Sequence, residues 1–116
     1  MTFLELIERT DVAQKALANL RLQRPELRAA RDTAKLTRKA TYKRQWLIIK
    51  TGDPNMTKAE LTVMTDGDEE VLKAWAEEIV ATSKVERLDM EIENAEDEIK
   101  NMEVAGNNLK RERDTI

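Results

Sequence analysis

A run of apolar residues near the C-terminus, spaced by alternating steps of three and four, constrains the fold most strongly. The run consists of Val85, Leu88, Ile92, Ala95, Ile99, Met102, Gly106 and Leu109. This spacing places every member on one stripe of an α-helix, as in a coiled-coil seam. Arg113 interrupts the run and Ile116 resumes it. We therefore predict an all-α fold, an elongated helical hairpin or bundle that ends in a long coiled-coil-like helix over residues 68–114.

Upstream of the seam, Leu72, Trp75 and Ile79 repeat at helical spacing on a shifted register. The shift predicts a stutter near residues 81–84. In the N-terminal half, apolar periodicity predicts one helix over residues 2–24 and another over residues 26–51. Pro25 separates them, because proline disfavours helix in the residue before it. The inner face of the second helix is predicted to consist of Leu27, Ala29, Ala30, Ala34, Leu36, Ala40, Leu47 and Ile48.

Turn and capping signals connect these segments. Gly52 is a predicted C-terminal cap, and Asp53-Pro54-Asn55 follows as a turn. Thr57 and Glu60 form a capping-box pattern, which predicts a short helix over residues 58–64. Residues 65–68 should then close that helix and cap the last one. We expect residues 1–116 to form a single helical domain.

Composition excludes several classes of function. The chain has no cysteine and no histidine. Disulfide scaffolds, common zinc sites and imidazole acid–base chemistry are therefore excluded. No apolar run reaches the roughly 20 residues of a membrane span, and the N-terminus lacks the pattern of a signal peptide. We expect a cytoplasmic protein with no membrane partner, cofactor, metal site or catalytic residue.

Charge is divided unevenly along the chain. Residues 1–50 carry 12 Lys/Arg against 5 Asp/Glu, a net of +7, whereas residues 51–116 carry 8 against 18, a net of −10. The basic residues concentrate between residues 21 and 50, and the acidic residues between 86 and 103. This asymmetry points to a function in binding rather than in catalysis.

The basic segment has three interpretations. It could contact phosphates, with an aromatic side chain stacking on a base. The candidate residues are Arg28, Arg31, Lys35, Arg38, Lys39, Tyr42, Lys43 and Arg44. It could instead face the acidic segment 86–103 in an antiparallel hairpin or oligomer, which is the favoured interpretation, or bind an acidic protein.

The C-terminal seam is a predicted interface for a partner or a second copy. Its interface residues are Val85, Leu88, Ile92, Ala95, Ile99, Met102 and Leu109. A helix over residues 26–51 would cover only part of a helix over residues 68–114. The first helix or a second protomer should cover the remainder, and this favours a homodimer slightly.

Acidic pairs at helical spacing offer an enzymatic alternative. Such pairs could hold Mg²⁺, as in helical nucleotide pyrophosphatases. They are Glu5/Glu8, Glu86/Asp89 and Glu93/Glu96. The pairs are far apart in a generally acidic sequence, so a solvated helix face is the favoured interpretation.

The middle of the chain is similar to a group of phage proteins. The features are a basic helix containing Thr41-Tyr42-Lys43-Arg44, then Met56-Thr57-Lys58-Ala59-Glu60-Leu61, an acidic turn and a long helix. Over residues 28–105 this resembles small helical proteins encoded in the early regions of bacteriophages and prophages, often beside single-strand-annealing and replication genes. The resemblance implies a setting in DNA replication or recombination and, for a phage-encoded protein, the host cytoplasm. Our leading hypothesis is a non-enzymatic accessory protein that acts by binding a second copy or another protein, with single-stranded DNA as a further candidate ligand. An inhibitor or assembly chaperone, whose acidic helix binds a basic site on another protein, is the alternative.

Overall fold

A computed structural model describes residues 1–115 and contains three α-helices in that range. They are α1 (Phe3–Gly52), α2 (Lys58–Asp66) and α3 (Glu69–Thr115). The all-α prediction, including the long C-terminal helix, is confirmed. The chain packs as two compact units, one formed by residues 1–25 with α3 from Glu86 onward, the other by residues 26–85. A single domain over residues 1–116 stays a prediction.

The unit that contains both termini is an antiparallel hairpin of the first part of α1 and the last part of α3. Thr10 lies 3.7 Å from the Met102 sulfur, and a Cβ added at Gly106 would lie 3.3 Å from a methyl of Leu6. Leu6 and Leu17 are buried on α1. The α3 residues on this stripe are buried or half-buried, namely Leu88, Ile92, Ala95, Ile99, Met102, Gly106 and Leu109. The predicted seam is therefore confirmed, and the first part of α1 covers it.

The second unit packs α1, α3 and the short α2 around a smaller core. Leu61 and Thr65 of α2 are buried there, together with Val71, Ala74 and Val85 of α3. The α1 residues that turn inward are Leu27, Arg31, Ala34, Arg38, Thr41 and Gln45. They continue the four- and three-residue steps of the N-terminal half, so polar side chains occupy several inward positions of α1.

The predicted inner face of residues 26–51 is therefore largely wrong. Of its members, only Leu27 and Ala34 turn inward. Leu36, Leu47 and Ile48 are all more than half exposed, and the remaining alanines are exposed as well. Apolar residues do not identify the inner face here, because the inward positions continue the three- and four-residue steps that begin in the N-terminal half of α1. The aliphatic stems of arginines can fill inward positions while their charged ends reach a partner or water.

The predicted break at Pro25 is also wrong, because α1 runs through it from Phe3 to Gly52. A proline inside a helix removes one backbone hydrogen bond and costs about 3 kcal/mol. Pro25 is exposed, so its ring lies away from the buried stripe. Residues on both sides of it pack against α3, and this burial offsets the local cost.

The predicted stutter in α3 does not occur. Upstream of Val85, the inward positions are Val71, Ala74, Glu78 and Ala81, which continue the same steps without interruption. Leu72, Trp75 and Ile79 each follow an inward position by one residue and lie about half exposed. The stripe of α3 that faces α1 therefore includes Glu78, a position that a search for apolar residues alone does not select.

Side-chain caps fix the start of each helix. Thr2 and Glu5 cap α1 reciprocally, with backbone–side-chain distances of 3.1 and 3.3 Å. The Thr57 hydroxyl accepts a hydrogen bond of 3.2 Å from the backbone N–H of Glu60, as the capping box predicts. The helix that it begins ends at Asp66, two residues beyond the prediction.

Asp68 caps α3, and its carboxylate also ties that helix to α1. It accepts hydrogen bonds from the backbone N–H groups of Glu70 and Val71, at 3.0 and 3.2 Å. The side-chain amide of Gln45 donates to it at 3.2 Å. The Gln45 bond, followed by the two backbone bonds and the nearby Arg44 charge, lowers the pKa of Asp68 despite the opposing effect of desolvation.

Candidate nucleic-acid interface

Much of the basic segment of α1 is paired with acids of α3. Each ion pair lies within one of the two compact units. Ion pairs join Arg21 to Glu96 (3.5 Å), Arg24 to Asp89 (3.1 Å), Arg38 to Glu78, and Arg44 to Glu70 (2.9 Å). The charge asymmetry of the sequence therefore serves, in part, to join two antiparallel helices.

The Arg38–Glu78 pair differs from the others because it occupies the buried stripe itself. The side chains of Arg38 and Glu78 are 31% and 18% exposed. The remaining pairs are more exposed and contribute less to stability. A charged pair among apolar layers fixes which residues face each other, since a shifted register would leave both charges poorly solvated.

The arginines among the predicted phosphate-binding residues are mostly engaged inside the chain. Arg38 and Arg44 pair with α3, and Arg31 lies 3.3 Å from Asp32. Arg28 is exposed. Phosphate binding by Arg38 or Arg44 would have to compete with an existing carboxylate partner.

Three lysines among the predicted phosphate-binding residues have no acidic partner within residues 1–115. Lys35, Lys39 and Lys43 are exposed and make no ion pair within residues 1–115. They recur every fourth residue, which places them along one outer face of α1 with a rise of about 6 Å per step. These three are therefore the predicted residues best placed to meet an external anion.

Tyr42 and Trp46 form an aromatic pair beside these lysines. Their ring centroids are 6.4 Å apart and the rings are inclined by 28°, a stacked arrangement. Both are half-buried. Burial, and then a hydrogen bond with Asp66, raises the pKa of Tyr42. Together with Lys43 and Leu47, the pair lines an open groove of about 530 Å³.

The pairing of α1 with α3 determines which other residues share this side of the second unit. Arg44 and Glu70, which pair across one flank, each precede an inward position by one residue. In an antiparallel pair of helices, residues that follow an inward position by one residue meet on the opposite flank. Within residues 35–46 and 72–79, the residues at such positions are Lys35, Lys39, Tyr42 and Trp46 of α1 with Leu72, Trp75 and Ile79 of α3, and we call this set the aromatic flank. Arg28 and Asp32 occupy such positions nearer the N-terminus of α1.

Comparison with known proteins gives no match. No family model, no curated protein and no solved structure is similar to this chain.

Sequence reasoning missed the α3 half of the aromatic flank. From sequence, Leu72, Trp75 and Ile79 are predicted to continue the apolar stripe on a shifted register, because they are apolar and helically spaced. Stepping back from Val85 by four and three residues leads instead to Ala81, Glu78, Ala74 and Val71. A seam extended strictly by spacing, with Glu78 accepted as a member, would have placed the three residues outside.

The predicted partner seam is occupied within the chain. Val85, Leu88, Ile92 and Ile99 are buried, and Ala95, Met102 and Leu109 are half-buried. The first part of α1 supplies the cover that the sequence left open. A homodimer stays a prediction, now without the uncovered seam that favoured it.

The acidic pairs do not converge on a site within residues 1–115, where no group of three or more acidic side chains is placed to hold a metal ion. Glu5 caps α1, whereas Asp89 and Glu96 are paired with arginines of α1. In the same range, no helix is both long and apolar enough to cross a membrane.

Proposed function

We propose that this chain is a non-enzymatic accessory protein of the phage type that binds nucleic acid in DNA replication or recombination. One observation supports this most directly. Lys35, Lys39 and Lys43 are unpaired on the outer face of α1, beside a stacked Tyr42–Trp46 pair, whereas Arg38 and Arg44 of the same helix are held by acids of α3. Cations that no internal acid neutralises are available to phosphate.

The mechanism is electrostatic and needs no conformational change. Each lysine that approaches a phosphate releases condensed counterions from the nucleic acid, and this release drives binding. Packing of α1 against α3 holds the three lysines in line before binding. The entropy cost of ordering this part of the backbone is therefore not incurred when nucleic acid binds. Phosphate contacts of this kind give affinity without sequence preference.

The experiment measures how binding depends on salt. Affinity for a single-stranded oligonucleotide should fall linearly with salt on a logarithmic scale, and Lys35→Ala/Lys39→Ala/Lys43→Ala should reduce that slope by about 2, at about 0.7 per phosphate contact. A matched variant that removes the same charge, Lys58→Ala/Lys100→Ala/Lys110→Ala, should keep most of the slope. No detectable binding at low salt, or equal effects of the two variants, would refute the proposal.

A second candidate function rests on the acidic side chains exposed on α3. On α3, Glu91, Glu93, Asp97 and Glu98 are exposed, and none of the four forms an ion pair within residues 1–115, whereas Asp89 and Glu96 pair with α1. An inhibitor or assembly chaperone would use such a row to occupy a basic site on another protein. That partner should be lost on Glu93→Gln/Asp97→Asn/Glu98→Gln and retained by the variant lacking Lys35, Lys39 and Lys43.

A further inference from the structure

The α3 half of the aromatic flank is exposed to an extent that packing within the second unit does not explain. Trp75 is 51% exposed, and Leu72 and Ile79 are 49% and 57% exposed. Trp75 and Trp46 are the only tryptophans of the chain, and Tyr42 is its only tyrosine. The buried residues of this unit are aliphatic or small, so three of the four aromatic residues of the protein lie on this one flank rather than in the core.

The charges on the flank select the kind of partner. Its charged members are Lys35 and Lys39, with Lys43 one position further out, and the carboxylate of Asp66 lies near enough to Tyr42 to raise its pKa. A second copy that packed by two-fold symmetry with α1 against α1 would bring equivalent lysines close together, and like charges would oppose it. An anionic partner with flat apolar groups satisfies both the lysines and the aromatic rings.

We propose that the aromatic flank binds single-stranded DNA, with unpaired bases stacking on Trp75 and on the Tyr42–Trp46 pair. The phosphates lie along Lys35, Lys39 and Lys43. This inference rests on the proposed function and sharpens it, because it names the form of the nucleic acid. In a duplex the base faces are covered by their neighbours, whereas every base of a single strand offers a face to an aromatic ring.

The arrangement of the two helices supports a strand that crosses the flank. Lysines and the aromatic pair come from α1, whereas Trp75 comes from α3, and Leu72 and Ile79 lie one turn to either side of it. The Arg38–Glu78 pair keeps the two helices in register behind the flank. The phosphate contacts therefore come from α1, whereas the base contacts come from both helices.

The test compares Trp75→Ala with Trp75→Phe, and with Val80→Ala as a control for an exposed apolar residue outside the flank. Fluorescence anisotropy would report binding to a thymidine oligonucleotide of about 12 nucleotides, within the site sizes of single-strand binders. Trp75→Ala should weaken binding about tenfold, the phenylalanine variant should retain most of the affinity, and Val80→Ala should match the unmodified protein. Far-UV circular dichroism would confirm that each variant keeps its helix content.

Three further ligands separate this inference from the proposed function. An abasic strand of equal length and a duplex should each bind at least tenfold more weakly than the thymidine strand. If the abasic strand or the duplex bound equally well, or Trp75→Ala had no effect, the stacking inference would fall while a salt-dependent phosphate function stood. Tighter binding of the matching RNA would overturn the assignment to DNA, and no binding of any strand would overturn both proposals.

Discussion

Replacing Ile92 with alanine, with Ile79→Ala as its matched control, tests the register of α3. Both residues lie in the same helix and lose the same three carbon atoms. Ile92 is 1% exposed and faces α1, whereas Ile79 is 57% exposed on the aromatic flank. If the seam instead followed the shifted register that hydrophobicity suggests, Ile79 would be buried as well and the two substitutions would cost similar amounts.

The expected magnitudes follow from burial. Removing three buried carbons at Ile92 loses about 2.4 kcal/mol of transfer free energy at about 0.8 per methylene. The cavity left behind adds to this, so we expect a loss of about 3 kcal/mol in the free energy of unfolding. At Ile79 less than half of the transfer term applies, and the better helix propensity of alanine offsets part of it. The expected loss there is about 0.5 kcal/mol.

Urea unfolding followed by far-UV circular dichroism would measure both values, with the denaturant dependence m compared to confirm that the same surface unfolds. A second matched pair lies within one compact unit, since Val85 is 3% exposed and Val80 is 54% exposed. Val85→Ala should cost about 2 kcal/mol and Val80→Ala well under 1 kcal/mol. Equal losses within either pair would refute the assigned register.

Three other predictions concern local features. Pro25→Ala supplies an N–H for the carbonyl of Arg21 and should stabilise the protein by about 2 kcal/mol in urea unfolding, whereas a loss of stability would show that packing requires the proline. Arg38→Ala leaves Glu78 half-desolvated and should cost about 2 kcal/mol, while Arg38→Met/Glu78→Leu should be nearly neutral; an equal loss in both would contradict the role of the pair. Because hydrogen bonds in the folded state lower the pKa of Asp68 below its ordinary value of 3.8, its contribution is full above that pH and is lost as the pH falls through the lower folded value. Acid unfolding should therefore be less steep in Asp68→Asn.

Local signals in the sequence predicted those parts of the fold that depend on neighbours along the chain. The capping box at Thr57 and the acidic cap at Asp68 determine where α2 and α3 begin, because each cap satisfies backbone donors within three residues. The seam from Val85 to Leu109 was also predictable, since nearly every position in it is apolar. The predicted pairing of the basic segment with the acidic segment 86–103 holds for Arg21 and Arg24. Arg38 and Arg44 pair instead with Glu78 and Glu70, which lie outside that acidic segment.

Other features depend on a helix that is distant in sequence. Whether Pro25 breaks α1 depends on whether packing on both sides outweighs one lost hydrogen bond, and local preference does not contain that comparison. The candidate site also depends on packing against a helix that is distant in sequence. Lys35 and Lys39 could be proposed from sequence, but their separation from the engaged Arg38 required the position of Glu78.

The sequence by itself determined an all-α chain, the starts of α2 and α3, and an apolar seam in the C-terminal helix. Only the tertiary structure decided that this seam continues upstream through Glu78, and that Trp75 consequently lies outside it. The physical reason is that an inward position is defined by the facing helix and not by the polarity of the residue that occupies it. A charged side chain can fill such a position when its partner lies opposite, and its apolar neighbour is then left free to bind something else.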